Sequence, residues 1–223
     1  MAEWVGEAEQ PITDRGGWWW PTDDLCARPA IVGESIDAIP WVLSYVRGGD
    51  IIQAGGNVGV YPVALSPFFE TVYTFEPDPL NFTCLQRNIA GRVANVRAVE
   101  AGLGEEEGVC EAVAVEPNNC GAHRLIIPDV DDPEERAAYT PLMTIDSLQL
   151  RPSCIWLDVE GFELPAIRGA RETIRACSPV IVVEQKGLGL KYGHSDEHLT
   201  DLLAGLGYVH RSSQGNDHLY TRE

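Results

Sequence analysis

The residues best suited to chemistry fall in three short blocks. Trp156-Leu157-Asp158-Val159-Glu160-Gly161-Phe162-Glu163 places three carboxylates within six residues, directly after an apolar run. So much negative charge against a buried strand is costly unless it is used or paired. Glu163 also fits a plain capping role at a helix start. Gln53-Ala54-Gly55-Gly56-Asn57-Val58-Gly59 ends a second apolar run in glycines, which let a ligand approach the backbone and permit a tight strand-to-helix turn. Glu76 follows Gly55 by 21 positions, where an acid can accept hydrogen bonds from both ribose hydroxyls of a nucleoside. The simpler alternative for Glu76 is a surface carboxylate favouring a helix dipole, but the spacing favours a ligand. Pro77-Asp78-Pro79 then holds the chain extended before a helix.

Two nucleotide-binding signatures fail on these residues. A G-x-G-x-x-G frame begun at Gly55 meets Asn57 and Val60, and one begun at Gly56 meets Val58 and Tyr61. The G-K-[ST] of a phosphate-binding Walker loop is absent. What remains is the looser acid-x-Gly-x-Gly-x-Gly loop of methyltransferases, with Gln53 in the acid's place and Asn57 for the central glycine.

The blocks need strands that end on them and helices that follow. Apolar runs predict strands over 50–54, 71–75, 95–99, 154–157 and 180–183, the last ending at Glu184. Helical spacing predicts helices over 34–45, after Gly59, over 79–89 and over 163–176, and one after an N-cap at Ser195. Residues 208–211 and 218–221 read as an antiparallel pair. The segment 101–143 is looser, with a weak strand over 109–115, a turn at Asn118-Asn119-Cys120-Gly121 and an acidic loop over 128–136. Alternating strands and helices give an α/β fold with a mostly parallel sheet covered on both faces, and ligands then bind at the carboxyl ends of its strands. Gly16-Gly17-Trp18-Trp19-Trp20-Pro21 sits in an N-terminal arm. The tryptophans are expected to pack the arm onto the core and cover a sheet edge; the alternative is an aromatic wall of an acceptor pocket.

Composition narrows the classes. A chain of 223 residues buries one good core. Its net charge of −18, with only Lys186 and Lys191 as lysines and no basic run, argues against DNA or RNA as partner. No apolar stretch is long enough to span a membrane, and the acidic start MAEWVGEAEQ has no leader pattern, so a cytoplasmic protein is expected. The six cysteines show no metal-site spacing and are read as buried thiols.

As a set, the blocks resemble the FkbM family of methyltransferases, which carry a D-x-G-A-N-x-G loop, an F-E-P-x-P strand end, a helix with a leucine and an asparagine, and a late K-x-D-x-E-G-x-E block. The matching residues are Gly55-Gly56-Asn57-Val58-Gly59, Phe75-Glu76-Pro77-Asp78-Pro79, Leu85 with Asn88, and Asp158 to Glu163. The likeness runs over about residues 48–211 and extends through Arg168-Gly169-Ala170 and Glu184. It departs at Gln53, at Trp156, where a lysine is common, and in the tryptophan-rich arm. It implies a Rossmann-like class I methyltransferase fold: a mostly parallel seven-stranded sheet, helices on both faces and a short N-terminal extension. The division expected is an arm over 1–33 and a methyltransferase domain over 34–223. The implied cofactor is S-adenosylmethionine, held by Gln53, Gly55, Gly56, Asn57, Gly59, Glu76, Pro77, Asp78, Leu103 and Asp158. The implied reaction is methyl transfer to a hydroxyl of a sugar, glycan or polyketide-like small molecule. Asp158 is the first choice for the group that takes the hydroxyl proton, with Glu160, Glu184 and His194 behind it; a solvated loop histidine is an equal account of His194. No metal is assigned, and self-association is left open. Two alternatives stay in view: an adenosylmethionine-binding module without turnover, and a nucleotide- or nicotinamide-dependent α/β enzyme of another class.

Overall fold

The computed structural model describes residues 12–26 and 36–223. The first eleven residues of the arm and the expected start of the first helix at Glu34 lie outside them. The arm contributes a two-stranded hairpin, β1 (Ile12–Arg15) and β2 (Trp18–Pro21), turned by Gly16 and Gly17 at positive φ. Helix α1 (Ile39–Val42) is shorter than its apolar spacing predicted. Pro40 suits the first turn of a helix and not its interior, so the helix begins at Ile39.

The strands that carry the three blocks fall where apolar runs placed them. They are β3 (Asp50–Ala54), β4 (Thr71–Phe75), β5 (Val96–Val99), β10 (Pro152–Leu157) and β11 (Val180–Glu184). All five are parallel. With β12 (Tyr208–Gln214) and β13 (Asp217–Arg222) added antiparallel at one edge, the sheet has seven strands in the order β12-β13-β11-β10-β3-β4-β5. Side chains alternate along each strand, so one face carries Ile52, Ile155, Leu157 and Val183, and the other Ile51, Cys154, Trp156 and Val182. Helices cover both faces, which is why these strands read as unbroken apolar runs. Against the second face lie α1 and α2 (Val60–Leu65). Against the first lie α5 (Glu163–Arg168), α6 (Arg171–Cys177) and α7 (Asp196–Gly205). Helix α3 (Pro79–Ile89) follows β4.

Two further stretches differ from the sequence expectation. The helix expected over 163–176 is two helices, broken at Gly169-Ala170. A Cβ on Gly169 would sit 1.9 Å from the carbonyl oxygen of Gly104, so the chain passes there too closely for any other residue. Asp146 then restarts the helix by accepting from the backbone N–H groups of Glu172 and Thr173. The loose middle segment is also more ordered than predicted. It folds into a second sheet, β6-β9-β7-β8, from β6 (Gly102–Leu103), β7 (Gly108–Ala114), β8 (His123–Ile126) and β9 (Thr140–Met143). Within the expected acidic loop, Asp132 caps a short helix, α4 (Pro133–Arg136). Among the described residues no helix is long and apolar enough to cross a membrane.

Candidate active site

Strand β3 pairs with β4 on one side and β10 on the other, so the chain winds outward in both directions from β3. The crevice at that reversal is where open α/β sheets bind ligands. Ala54, Phe75 and Leu157 end their strands level with one another. The residues just beyond them open onto a cavity of about 370 Å³.

The first wall is the glycine loop. The N–H groups of Gly55 and Gly56 both donate to Phe75 O, at 3.2 and 2.9 Å, which folds the loop across the end of β4. Gly55 has φ +84°, and a Cβ there would lie 1.8 Å from Asp158 O. A glycine is required here by both backbone conformation and space. Asn57, at φ +45°, donates its N–H to Glu76 Oε2 at 2.6 Å. Glu76 Oε1 accepts the Asp78 N–H at 2.9 Å. Burial pushes the Glu76 carboxyl up to about 7 against these two hydrogen bonds, which favour its charge. Each carboxylate oxygen keeps a lone pair for a further donor.

Gln53 lies 2% exposed beneath this loop and does not line the cavity. Its Nε2 donates to Ala54 O and Gly55 O, and its Oε1 accepts from Thr74 Oγ1. The amide therefore braces the loop backbone from below, where a cofactor contact was expected. Gly59 and Asp78 also stand outside the lining. Gly59, at φ +95°, is the N-cap of α2, and Asp78 caps α3 by accepting from Leu80 N and Asn81 N. Of the other expected cofactor residues, Gly55, Gly56, Asn57, Glu76, Pro77, Leu103 and Asp158 line the cavity.

Of the roof, the sequence offered only the tryptophans, as the alternative reading of the arm. Trp20 from the arm and Cys120 from the turn between β7 and β8 meet over the loop. Asp24, 1% exposed, accepts from Cys120 N at 3.1 Å, and Leu25 N donates to Asn118 O. Asn81 Nδ2 donates to Cys120 O. The arm is fastened by the fully buried Asn88, which exchanges hydrogen bonds with the backbone of Trp19 and also donates to Val58 O. Trp18 and Trp19 lie under the guanidinium groups of Arg92 and Arg87. The tryptophans thus pack on α3, where a sheet edge was expected, and Trp20 joins the cavity wall.

The acidic end gathers Asp158, Glu160 and Glu184, whose carboxylate oxygens lie within 4.8 Å of one another. Asp158 and Glu160 line the cavity; Glu184 and His194 do not. Burial, then Glu184, Glu160 and Asp217, hold the Asp158 carboxyl well above the usual carboxylate range, and Lys186 opposes them. Lys186 Nζ stands 3.1 Å from Glu160 Oε1 and 2.7 Å from Glu184 Oε2. Glu160 takes φ +55° to reach this position. Glu163 accepts from Val159 N and Gly161 N, so it holds the turn in shape and does not face the cavity. His194 is packed against Gly189, with Nε2 lacking a hydrogen-bond partner among the described residues. Burial, Arg168 and His198 lower its pKa and favour the neutral ring. Tyr61, edge-on to Trp156 at 5.3 Å, also lines the cavity.

Comparison with known proteins assigns the chain. The profile of the methyltransferase FkbM domain matches residues 55–209. "Methyltransferase 1" of Beauveria bassiana (strain ARSEF 2860) is 29% identical over 143 residues, 53% of this chain and 57% of that protein. The crystal structure of methyltransferase FkbM from Methylobacillus flagellatus KT superposes with a TM-score of 0.52 at 21% identity, over 80% of this chain and 45% of that one. The chain thus spans about half the length of these relatives. The methyl donor of such domains is S-adenosylmethionine, and the close backbone approach at Gly55 and the buried acceptor Glu76 fit a nucleoside of that kind. With a Rossmann-like sheet, a cavity at its reversal point and a family profile over most of its length, the chain belongs to the FkbM methyltransferase domain family.

Proposed function

We propose that the protein is an O-methyltransferase that uses S-adenosylmethionine to methylate a hydroxyl of a sugar, glycan or polyketide-like small molecule. The observation that carries this reading is Asp158: a carboxylate on the cavity wall, at the sheet's reversal point, with its proton affinity raised by burial. A hydroxyl acceptor has to lose a proton as it is methylated, and a carboxylate of raised pKa is suited to take it. The bound cofactor supplies an electrophilic sulfonium methyl group. Glu76 would accept from its ribose hydroxyls, Gly55, Gly56 and Asn57 would bring backbone against it, and Leu103 offers an apolar side chain at the end of β6. Asp158 would then orient the acceptor and receive its proton. Glu160 flanks it in the wall, while Glu184 acts from outside the cavity. His194 has no part in this arrangement. The buried thiols Cys84, Cys110 and Cys154 suit a reducing, cytoplasmic setting.

The test is mass spectrometry of a panel of hydroxyl, amine and thiol acceptors incubated with cofactor and protein. The reading expects a single added methyl group on oxygen. Transfer to nitrogen or sulfur alone would overturn it.

A further inference from the structure

Three carboxylates converge beside the reaction site proposed above, and something must offset their repulsion. A divalent cation is one means, and a fixed ammonium is another. We infer that Lys186 is a positioning residue whose ammonium occupies the place a divalent cation would take between Glu160 and Glu184, so that the centre works without a metal. The geometry is direct. One Nζ hydrogen-bonds Glu160 Oε1 at 3.1 Å and forms an ion pair with Glu184 Oε2 at 2.7 Å, and both residues belong to the carboxylate cluster. The ammonium thus ties two elements, the turn after β10 and the end of β11, from a position two residues beyond Glu184. The chain has two lysines for 34 acidic residues, and one of the two is committed here.

The consequence reaches Asp158. Burial raises its pKa, Glu184, Glu160 and Asp217 add to the effect, and Lys186 is the cation that opposes them. Facing the cluster from other elements are Asp217 at the start of β13, Tyr61 on α2 and Lys191 in the turn after β11. Removing the ammonium would leave Asp158 beside two uncompensated carboxylates. Its proton would then be held to higher pH, and the three oxygens would be open to a metal ion.

This inference rests on the methyltransferase reading only for its kinetic part. The test therefore pairs a metal titration with a pH profile. Mn²⁺ is titrated by electron paramagnetic resonance into the wild type, Lys186→Met and Lys186→Arg, all free of cofactor, with melting temperatures to confirm folding. The wild type and Lys186→Arg should bind no Mn²⁺ at the cluster. Lys186→Met should gain one site, which Glu184→Gln in the same background removes. Single-turnover rates in Lys186→Met should show the acid limb moved up by about one pH unit or more, with Lys186→Arg close to wild type. Turnover of the wild type should be indifferent to a chelator. Mn²⁺ binding at the wild-type cluster, or wild-type turnover lost to chelation and restored by a divalent ion, would overturn the inference. So would a Lys186→Met protein with an unmoved acid limb or no gained site. If no acceptor is methylated at all, the methyltransferase reading fails, and the Mn²⁺ titration still decides between ammonium and metal.

Discussion

Glu76 carries a pH dependence that can be worked out in advance. In the free protein its carboxyl titrates at about 7, because burial outweighs the two backbone N–H groups that favour its charge. Ribose hydroxyls are donors, so cofactor binding selects the ionised form. The apparent dissociation constant is then multiplied by one plus the ratio of protonated to ionised Glu76: about 11 at pH 6 and about 1.1 at pH 8. Affinity for S-adenosylhomocysteine should fall about tenfold between pH 8 and pH 6, or about 1.4 kcal/mol, with roughly 0.9 proton released per ligand at pH 6. Stability follows the same linkage with the opposite appearance. The folded value lies above the ordinary 4.5, so the folded state binds more protons between those values. As pH rises through this window, the free protein loses up to about 3 kcal/mol from this one group. Glu163 at about 7 and Asp217 at about 6 titrate in the same range, so the assay is a difference measurement. Calorimetric titrations of wild type and Glu76→Gln at pH 6, 7 and 8 (~two buffers each) supply it. Glu76→Gln should bind more weakly at pH 8 by about 1.5–3 kcal/mol and lose the Glu76 share of proton release. Equal proton release in the two proteins, or wild-type affinity flat from pH 6 to 8, would refute the reasoning.

Other changes probe the remaining parts of the site. Asp158→Asn keeps the shape but removes the proton acceptor, so single-turnover rate should drop by roughly 10²–10⁴ with cofactor affinity changed far less; parallel losses in both would mean that Asp158 chiefly holds the cofactor. Gly55→Ala forces a Cβ to within 1.8 Å of Asp158 O at φ +84°, and chemical denaturation should show about 2–5 kcal/mol of lost stability. Asp24→Ala releases the Cys120 N–H from its buried acceptor; hydrogen exchange at residues 118–122 should quicken and cofactor affinity should weaken by about 1–3 kcal/mol.

The sheet was legible because its central strands are buried on both faces and end in residues of special type. Ile51-Ile52 before the glycines, Trp156-Leu157 before Asp158 and Val182-Val183 before Glu184 announce both the strand and the side of the sheet where ligands bind. The break inside 163–176 was hidden because Leu164, Ile167 and Ile174 keep helical spacing across it, and only the tertiary approach of Gly104 to Gly169 shows why the chain turns. Of the second sheet only β7 was expected, over 109–115; β8 and β9 are short and mostly not buried, so neither alternation nor an apolar run marks them. The roof depends on contacts across long sequence separations, such as Asp24 with Cys120 and Trp19 with Asn88, which local pattern cannot carry. Gln53 was expected to touch the cofactor, but it stands near the end of β3 with its amide turned to Thr74 and the loop backbone, a pairing that the strand pattern does not reveal. Lys186 had a visible signal, being one of two lysines and two residues beyond Glu184. Its pairing with Glu160 needed the fold.

The central claim is that the cavity between the glycine loop, Glu76 and Asp158 is the cofactor site. A crystal structure with S-adenosylhomocysteine tests it most directly. The account predicts ligand density in this cavity, with both ribose hydroxyls at about 2.5–3.0 Å from Glu76 oxygens, the adenine beside Leu103 and the thioether sulfur toward Asp158. Density elsewhere, or a ribose that leaves Glu76 without a contact, would contradict it.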